Sequence, residues 1–341
     1  MAKDKLRVGI AGCGMITEFH IRAMKQIPEL ELAGVWDIAA DLAKNTAEKW
    51  NVKAYGSYEE MIADPQVDII DICLPAGVHA QYGCQAAEAG KHLIVEKPID
   101  VTKEAAEKLI ATADKAGVSL AVILQNRFAP SMNKVRKALD EGALGRLLYG
   151  EATIKWYRQE SYYTSKPWKG TWEFDGGGAL LVQAIHTIDL LLWFMGSKIK
   201  EIKSFARTVL HPIEVEDLAT AILEFESGAL GHIVGSTAMT PGFPERIELY
   251  GEKGSIALEA GRIVRWQVEG MQEEDYLDPV AMGSGSSDPG GIPLENHTAQ
   301  LQAIARSILA GEQPPVSGQE AMESLNCILD IYRLGGMERK K

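Results

Sequence analysis

Long apolar runs are missing from the 341-residue chain: no segment approaches the roughly 20 consecutive apolar residues that a membrane-spanning helix needs. The apolar run nearest the N-terminus, Leu6 to Ala11, is too short for a secretory signal core and passes directly into glycines. Cysteine is scarce as well. Cys13, Cys73, Cys84 and Cys327 include no CxxC pair, which excludes a disulfide scaffold or zinc ribbon and fits core thiols in a reducing compartment. Positive charge is in deficit, with 35 Lys and Arg against 47 Asp and Glu and a formal net charge of -12. Nucleic-acid partners call for the opposite balance. Internal repeats are absent, and low complexity is confined to Gly283–Gly291, read as a flexible loop. These absences leave a soluble, cytoplasmic protein, and the length is enough for two domains of ordinary size, each with its own core.

What is present begins with a strand, a glycine turn and a helix. Leu6 to Ala11 is a short apolar strand, Gly12-Cys13-Gly14 turns it, and Glu18 to Ile27 has helical periodicity that stops before Pro28. In that context the first glycine permits a tight turn, and the second lets backbone approach a pyrophosphate at the helix N-terminus. Thr17 stands where a third fingerprint glycine is usual, so a slightly wider helix–strand contact is expected. Leu30 to Trp36 is the second strand and ends in Asp37, 23 residues after Gly14. A carboxylate there accepts from adenosine ribose hydroxyls and repels a 2′-phosphate, which favours NAD over NADP. The same residue would also serve as a simple N-cap for a helix near Ala40.

The alternation of strand and helix continues. Ser57 and Glu60 form a capping box, Val67 to Cys73 is a strand ending at Leu74-Pro75, and His79 to Ala89 is a helix closed by Gly90. His92 to Glu96 reads as a buried parallel strand that breaks off in Glu96-Lys97-Pro98. Ligands in open α/β sheets sit outside the carboxyl ends of strands, so Lys97 emerges where a cofactor's reactive end would lie, and Pro98 restricts its backbone to extended geometry. A helix from Thr102 to Ala116 and a strand from Ser119 to Leu124 complete a doubly wound α/β sheet over residues 1–125. Gln125 and Arg127 leave that strand at the same edge, and a linking helix runs from Pro130 to Asp140 within 126–145.

From Arg146 onward strands follow one another: Arg146 to Tyr157, Ile199 to Arg207, Asp217 to Phe225, Ala229 to Ser236 and Arg246 to Gly251. An α+β domain with an open, mostly antiparallel sheet is expected over 146–341, its closing helices Thr298–Ala310 and Gly318–Leu334 free to pack back on the first domain. One long helix interrupts the strands, from Asp175-Gly176-Gly177-Gly178 to Met195. It places Gln183, His186 and Asp189 at i, i+3 and i+6 on one face, lining a cavity. Ahead of it, Trp156, Tyr157, Arg158, Tyr162, Tyr163, Lys166, Trp168 and Lys169 interleave aromatic faces with cationic donors. That composition suits a polyhydroxylated ring, and equally an interface loop.

The chain resembles the Gfo/Idh/MocA oxidoreductases, which include inositol and glucose–fructose dehydrogenases. The resemblance rests on Gly12-Cys13-Gly14-Met15-Ile16, Glu96-Lys97-Pro98, Arg127-Phe128 with Pro130, and Gly176-Gly177-Gly178-Ala179-Leu180 leading to His186 and Asp189. It implies a Rossmann domain followed by a sheet domain whose outer face forms a homodimer or homotetramer, with the family's catalytic lysine at Lys97 and histidine at His186. Many members carry Asp or Asn four residues before that histidine, where this chain has Val182.

The expected function is an NAD-dependent dehydrogenase interconverting a secondary alcohol and ketone on a sugar, cyclitol or sugar derivative. His186 is the general base and Lys97 the donor to the substrate oxygen. Cofactor candidates are Gly12, Gly14, Met15, Ile16, Asp37, Leu74, Pro75, His79, Glu96, Lys97, Gln125 and Arg127. Substrate candidates are Lys97, Tyr157, Arg158, Trp168, Gln183, His186 and Asp189, and no metal-ligand cluster is visible. An NADPH-dependent sugar reductase and a nucleotide-sensing regulator without turnover stand beside this reading. The basic residues Arg158, Lys166 and Lys169 point to an acidic or nucleotide-linked sugar.

Overall fold

The computed structural model describes residues 4–279 and 294–337. The glycine-rich run Gly283–Gly291 lies outside the described residues. The chain divides into two compact units, one reaching Gln125 and resuming up to Met322, the other beginning at Asn126 and resuming at Glu323.

The first unit opens with β1 (Leu6–Ala11), α1 (Met15–Met24), β2 (Leu30–Trp36), α2 (Ala40–Trp50), β3 (Lys53–Ala54) and α3 (Tyr58–Ala63). It continues with β4 (Ile69–Ile72), α4 (His79–Glu88), β5 (His92–Val95), α5 (Lys103–Ala116) and β6 (Leu120–Val122). The six strands pair in parallel in the order β3-β2-β1-β4-β5-β6. This is the doubly wound arrangement, with its switch point between β1 and β4. Central strands such as β4 and β5 are buried on both faces, and apolar apart from Asp71 of β4 and His92 of β5. Local signals hold the helix ends: Ser57 Oγ accepts from Glu60 N–H at 3.1 Å, Thr102 Oγ1 accepts from Ala105 N–H, and Gly117 closes α5 in the left-handed region.

The second unit contains α6 (Pro130–Asp140), β7 (Leu147–Lys155), α7 (Glu160–Thr164) and α8 (Ile185–Met195), the last preceded by a π-helical turn over Ala179–Ala184. It then runs through β8 (Ile199–Arg207), β9 (Leu218–Phe225), β10 (Leu230–Ser236), β11 (Arg246–Gly251), β12 (Gly254–Glu259) and β13 (Arg262–Val268). These form a mixed sheet ordered β13-β12-β11-β7-β10-β9-β8, parallel only between β7 and β10. Leu180, Leu191 and Met195 press on one face. The other face carries the cross-strand rows Lys203–Ile222–His232–Glu151–Glu248 and Phe205–Thr220–Val234–Thr153–Arg246.

Two helices close the chain, α9 (Leu294–Ala310) and α10 (Gly318–Leu334). The helix α9 belongs to the first unit. Its buried stripe, Leu301, Ile304 and Ile308, joins Ile21, Met24 and Ile27 in one core. Gln300 of α9 works like an added strand residue on β6, donating to the Val122 carbonyl at 2.8 Å and accepting the Leu124 N–H at 3.1 Å. Val316 accepts the Val122 N–H at 3.0 Å, so the outer edge of the sheet has its backbone groups satisfied. No described helix is long and apolar enough to cross a membrane.

Candidate active site

Gly12 ends β1 at φ +102, and a Cβ there would meet the Cys73 carbonyl where β1 and β4 run side by side. Gly14 is exposed, and a Cβ on it would have no neighbour within 4 Å, so the flank of the turn is open. Beside it Met15 is exposed and Ile16 half-buried, and the first-turn N–H groups of α1 lack intrahelical partners. That combination suits an anion. Thr17 uses its hydroxyl on the Gly12 carbonyl at 2.8 Å, tying helix to turn where a glycine would leave both loose. Asp37 does not cap α2, whose N-cap is Ala39. Its carboxylate instead braces the turn, accepting Cys13 N–H at 2.8 Å and Ala39 N–H at 2.8 Å, and stays half-buried beside it.

The ends of β4 and β5 carry the next group. Leu74 and Pro75 are half-buried. His79 is 1% exposed, and its ring nitrogens reach the Pro98 and Leu74 carbonyls at 2.8 Å each, so it fastens two strand-end loops. Glu96 is also buried. Its Oε1 lies 2.9 Å from His20 Nε2 and its Oε2 accepts the Lys97 N–H at 3.0 Å. Lys97 itself is half-buried and is followed by a cis peptide to Pro98. Gln125 is buried with its Oε1 lacking a hydrogen-bond partner.

Below these residues lies a polar cluster that the sequence pattern conceals. His20 of α1, Asp71 of β4, Cys73, Glu96 and His297 of α9 are gathered from positions up to 277 residues apart, and His20, Asp71 and His297 are 0% exposed. No short spacing links them. The only signal was a lone histidine and a lone aspartate inside otherwise apolar periods.

In the second unit Gly178 packs against protein backbone and Gly177 against protein side chains. A Cβ on Gly178 would overlap the Glu216 carbonyl oxygen, and one on Gly177 would meet the Tyr332 hydroxyl. Glu216 accepts from Gly178 N–H at 2.8 Å, Leu180 N–H at 2.7 Å and Tyr332 Oη at 2.9 Å. Burial pushes its carboxyl up to about 7 against the pull of those donors. The expected helix runs without a break from Ala179 to Met195, but its first six residues, Ala179–Ala184, are wound as a π turn before α8 begins at Ile185. Gln183 therefore lies in the π turn, while His186 and Asp189 keep i, i+3 spacing on α8.

Asp189 is buried and paired with Arg127, which donates from Nε at 2.8 Å and Nη2 at 2.7 Å. Two residues expected to meet cofactor and substrate thus bind each other. Gln183, 8% exposed, donates from Nε2 to Tyr162 Oη at 3.1 Å, and its Oε1 is buried without a hydrogen-bond partner. Around Tyr162 stand Lys169, with Nζ 3.7 Å from the ring centroid, and Arg158, which also lies 4.9 Å from the Trp156 ring. Burial pulls the Lys169 ammonium below its usual value. Tyr157 pairs with Ala238, and Trp168 is half-buried under Lys166. His186 is half-buried in the first turn of α8, four residues after the half-buried Val182.

Comparisons with known proteins match both parts of the chain. Residues 6–124 match the oxidoreductase family with an NAD-binding Rossmann fold, and residues 132–257 match the Gfo/Idh/MocA C-terminal domain. The chain is 30% identical over 259 residues to the uncharacterized oxidoreductase YrbE of Bacillus subtilis, covering 74% of each. It is 27% identical over 329 residues to the myo-inositol 2-dehydrogenase of Thermotoga maritima, covering 94% of this chain and 93% of that one. Among solved structures, the WlbA dehydrogenase of Bordetella pertussis in complex with NADH and UDP-GlcNAcA superposes with a TM-score of 0.87 at 28% identity, over 97% of each chain. With matches across both of its parts, the chain belongs to the Gfo/Idh/MocA family of oxidoreductases.

Proposed function

We infer that this oxidoreductase is an NAD-dependent dehydrogenase acting on a secondary alcohol of a sugar, cyclitol or sugar derivative. The observation that carries the reading is the position of Lys97. It follows the last residue of β5 by two positions, on the strand next to β4 and the switch point. NAD supplies the hydride acceptor at C4 of its nicotinamide. The open flank at Gly14 and the free N–H groups opening α1 suit its pyrophosphate. Asp37, with an acceptor oxygen held by each of two backbone donors, suits ribose hydroxyls and opposes a 2′-phosphate. Lys97 donates to the substrate oxygen as negative charge builds, and His186 takes the hydroxyl proton.

Selectivity lies in the second unit. The buried Gln183 Oε1 is an acceptor awaiting a donor, which a substrate hydroxyl provides. Arg158 and Lys169 flank it with positive charge, and this favours an acidic sugar, as does the likeness to a dehydrogenase solved with UDP-GlcNAcA. Val182 withholds the acidic partner that the inositol-type site places before the histidine, so a carboxylated or nucleotide-linked sugar suits the chain better than a free cyclitol. The sheet face bearing Phe205, Ile222 and Leu230, 68%, 60% and 50% exposed, serves self-association. A screen of NADH absorbance over polyols, aldoses, uronates and sugar nucleotides tests the substrate. Reduction of NAD by none of these at millimolar concentration would favour the sensor.

A further inference from the structure

The buried cluster beneath Lys97 has a geometry with one charge state. His20 Nδ1 lies 2.7 Å from Asp71 Oδ2, and Nε2 lies 2.9 Å from Glu96 Oε1. Ionised carboxylates only accept, so both ring nitrogens donate and the ring is an imidazolium. Neither nitrogen then has a lone pair for a metal ion. The groups that face this ring are Asp71 and Cys73 from β4 and its end, Glu96 from the end of β5, and His297 of α9, whose ring centroid is 5.7 Å away. Glu96 stands between two cations: it bonds His20 with one oxygen and the Lys97 N–H with the other, and it feels the Lys97 charge.

Buried ion triads are poor stabilisers, because packed apolar groups of similar volume do as well without the desolvation cost. A triad kept at 0–7% exposure directly under one strand-end lysine calls for another reason. We propose that the Asp71–His20–Glu96 relay is a positioning device for Lys97. Asp71 orients the imidazolium, the imidazolium keeps Glu96 ionised and fixed, and Glu96 holds the Lys97 backbone and ammonium at the end of β5. His20 and Asp71 are positioning residues that touch neither substrate nor cofactor. The value of the device rests on the reading of Lys97 as the donor to substrate, but its existence does not.

The test reads the lysine itself. Folded protein at pH 8 is treated with limiting acetic anhydride, and acylation of Lys97 is measured by peptide mass mapping relative to Lys44, an exposed lysine of α2. Loss of His20 lets buried Glu96 take a proton, which frees Lys97 from its carboxylate and lowers its titration midpoint. Half a unit is about a threefold gain in free amine. Glu96→Gln and His20→Gln should each raise the Lys97 to Lys44 ratio by about threefold or more. The isosteric Asp71→Asn should raise it less, since a neutral His20 still donates to Glu96. Ratios at the wild-type value in folded Glu96→Gln and His20→Gln overturn the proposal. If His20→Gln does not fold, a rise in Glu96→Gln with none in Asp71→Asn also overturns it, because Lys97 would then sense only its neighbour. A Lys97→Ala enzyme with full turnover would instead sink the catalytic reading and leave these ratios as they are.

Discussion

At the scale of single residues, the sharpest expectations fall on Asp37, Lys97, His186 and the relay. Asp37→Ser should narrow the preference for NAD over NADP by removing a like-charge contact with the 2′-phosphate. Fluorescence titration with both nucleotides checks this, and equal affinities in the wild type would contradict the assigned role. Lys97→Ala should lower turnover by about a hundredfold, the usual cost of an oxyanion-type donor, and His186→Ala by about 10²–10⁴-fold, with NAD affinity nearly unchanged in both. Glu96 and His20 add a pH signature. Burial opposes the charge on Glu96, yet His20 holds its carboxyl at about 2, so its stabilising share is present above pH 4.5 and fades as the pH falls toward 2. Burial also opposes the charge on His20, but Asp71 and its neighbours raise it well above 6.5, so its share is full below pH 6.5 and fades at higher pH. The melting-temperature gap between wild type and His20→Gln should therefore be widest near pH 4.5–6.5 and narrow progressively as the pH falls toward 2. At its widest it should correspond to about 3 kcal/mol or more, the cost of orphaning a buried charge. A gap independent of pH would mean that the ring is neutral in the fold.

At the scale of elements, what could be read from the sequence followed local physics, and what escaped it was long-range. The strand–turn–helix at Gly12, the Ser57 and Thr102 caps and the Gly117 stop were all legible because each is decided by residues within a turn of one another. Strand β3 was invisible: it has only two residues, and both are exposed. The hairpin of β12 and β13 was also passed over. Its turn, Ala260-Gly261, has φ of +49 and +73, and that conformation is usually announced by Asn or Asp rather than Ala. The π turn before α8 was hidden for a different reason. It is imposed by Glu216, whose three donors lie 36 to 116 residues away, so no helical period in Ala179–Ala184 could reveal it. Gly178→Ala should lower stability by about 3 kcal/mol, at or above the top of the usual overpacking range, because the colliding atom is backbone. Urea unfolding would show it, and a loss under about 0.5 kcal/mol would mean that the turn relaxes freely. Glu216 should add a pH slope of its own: with its carboxyl raised to about 7, its contribution is present below pH 4.5 and is lost as the pH climbs to 7.

At the scale of the whole molecule, self-association is the property most open to test. The exposed face of the second sheet sets Ile222 opposite Lys203 and His232, with Phe205 and Leu230 on neighbouring rows. Ile222→Arg should convert an oligomer to a monomer of 37.2 kDa in light scattering at micromolar concentration. A wild type already monomeric there would remove this role from the face. The seam at β6 reaches further. Its edge is sealed by Gln300 and Val316, and the stripe on α1 is covered by Leu301 and Ile304, residues that a ribosome adds only after all six strands of the first sheet and the whole of the second. A nascent chain therefore carries the nucleotide-binding half unfinished through most of its synthesis, with an open sheet edge as a point of mispairing. A fragment ending at Gln125 should aggregate when expressed alone, and a separate peptide spanning residues 294–322 should rescue it.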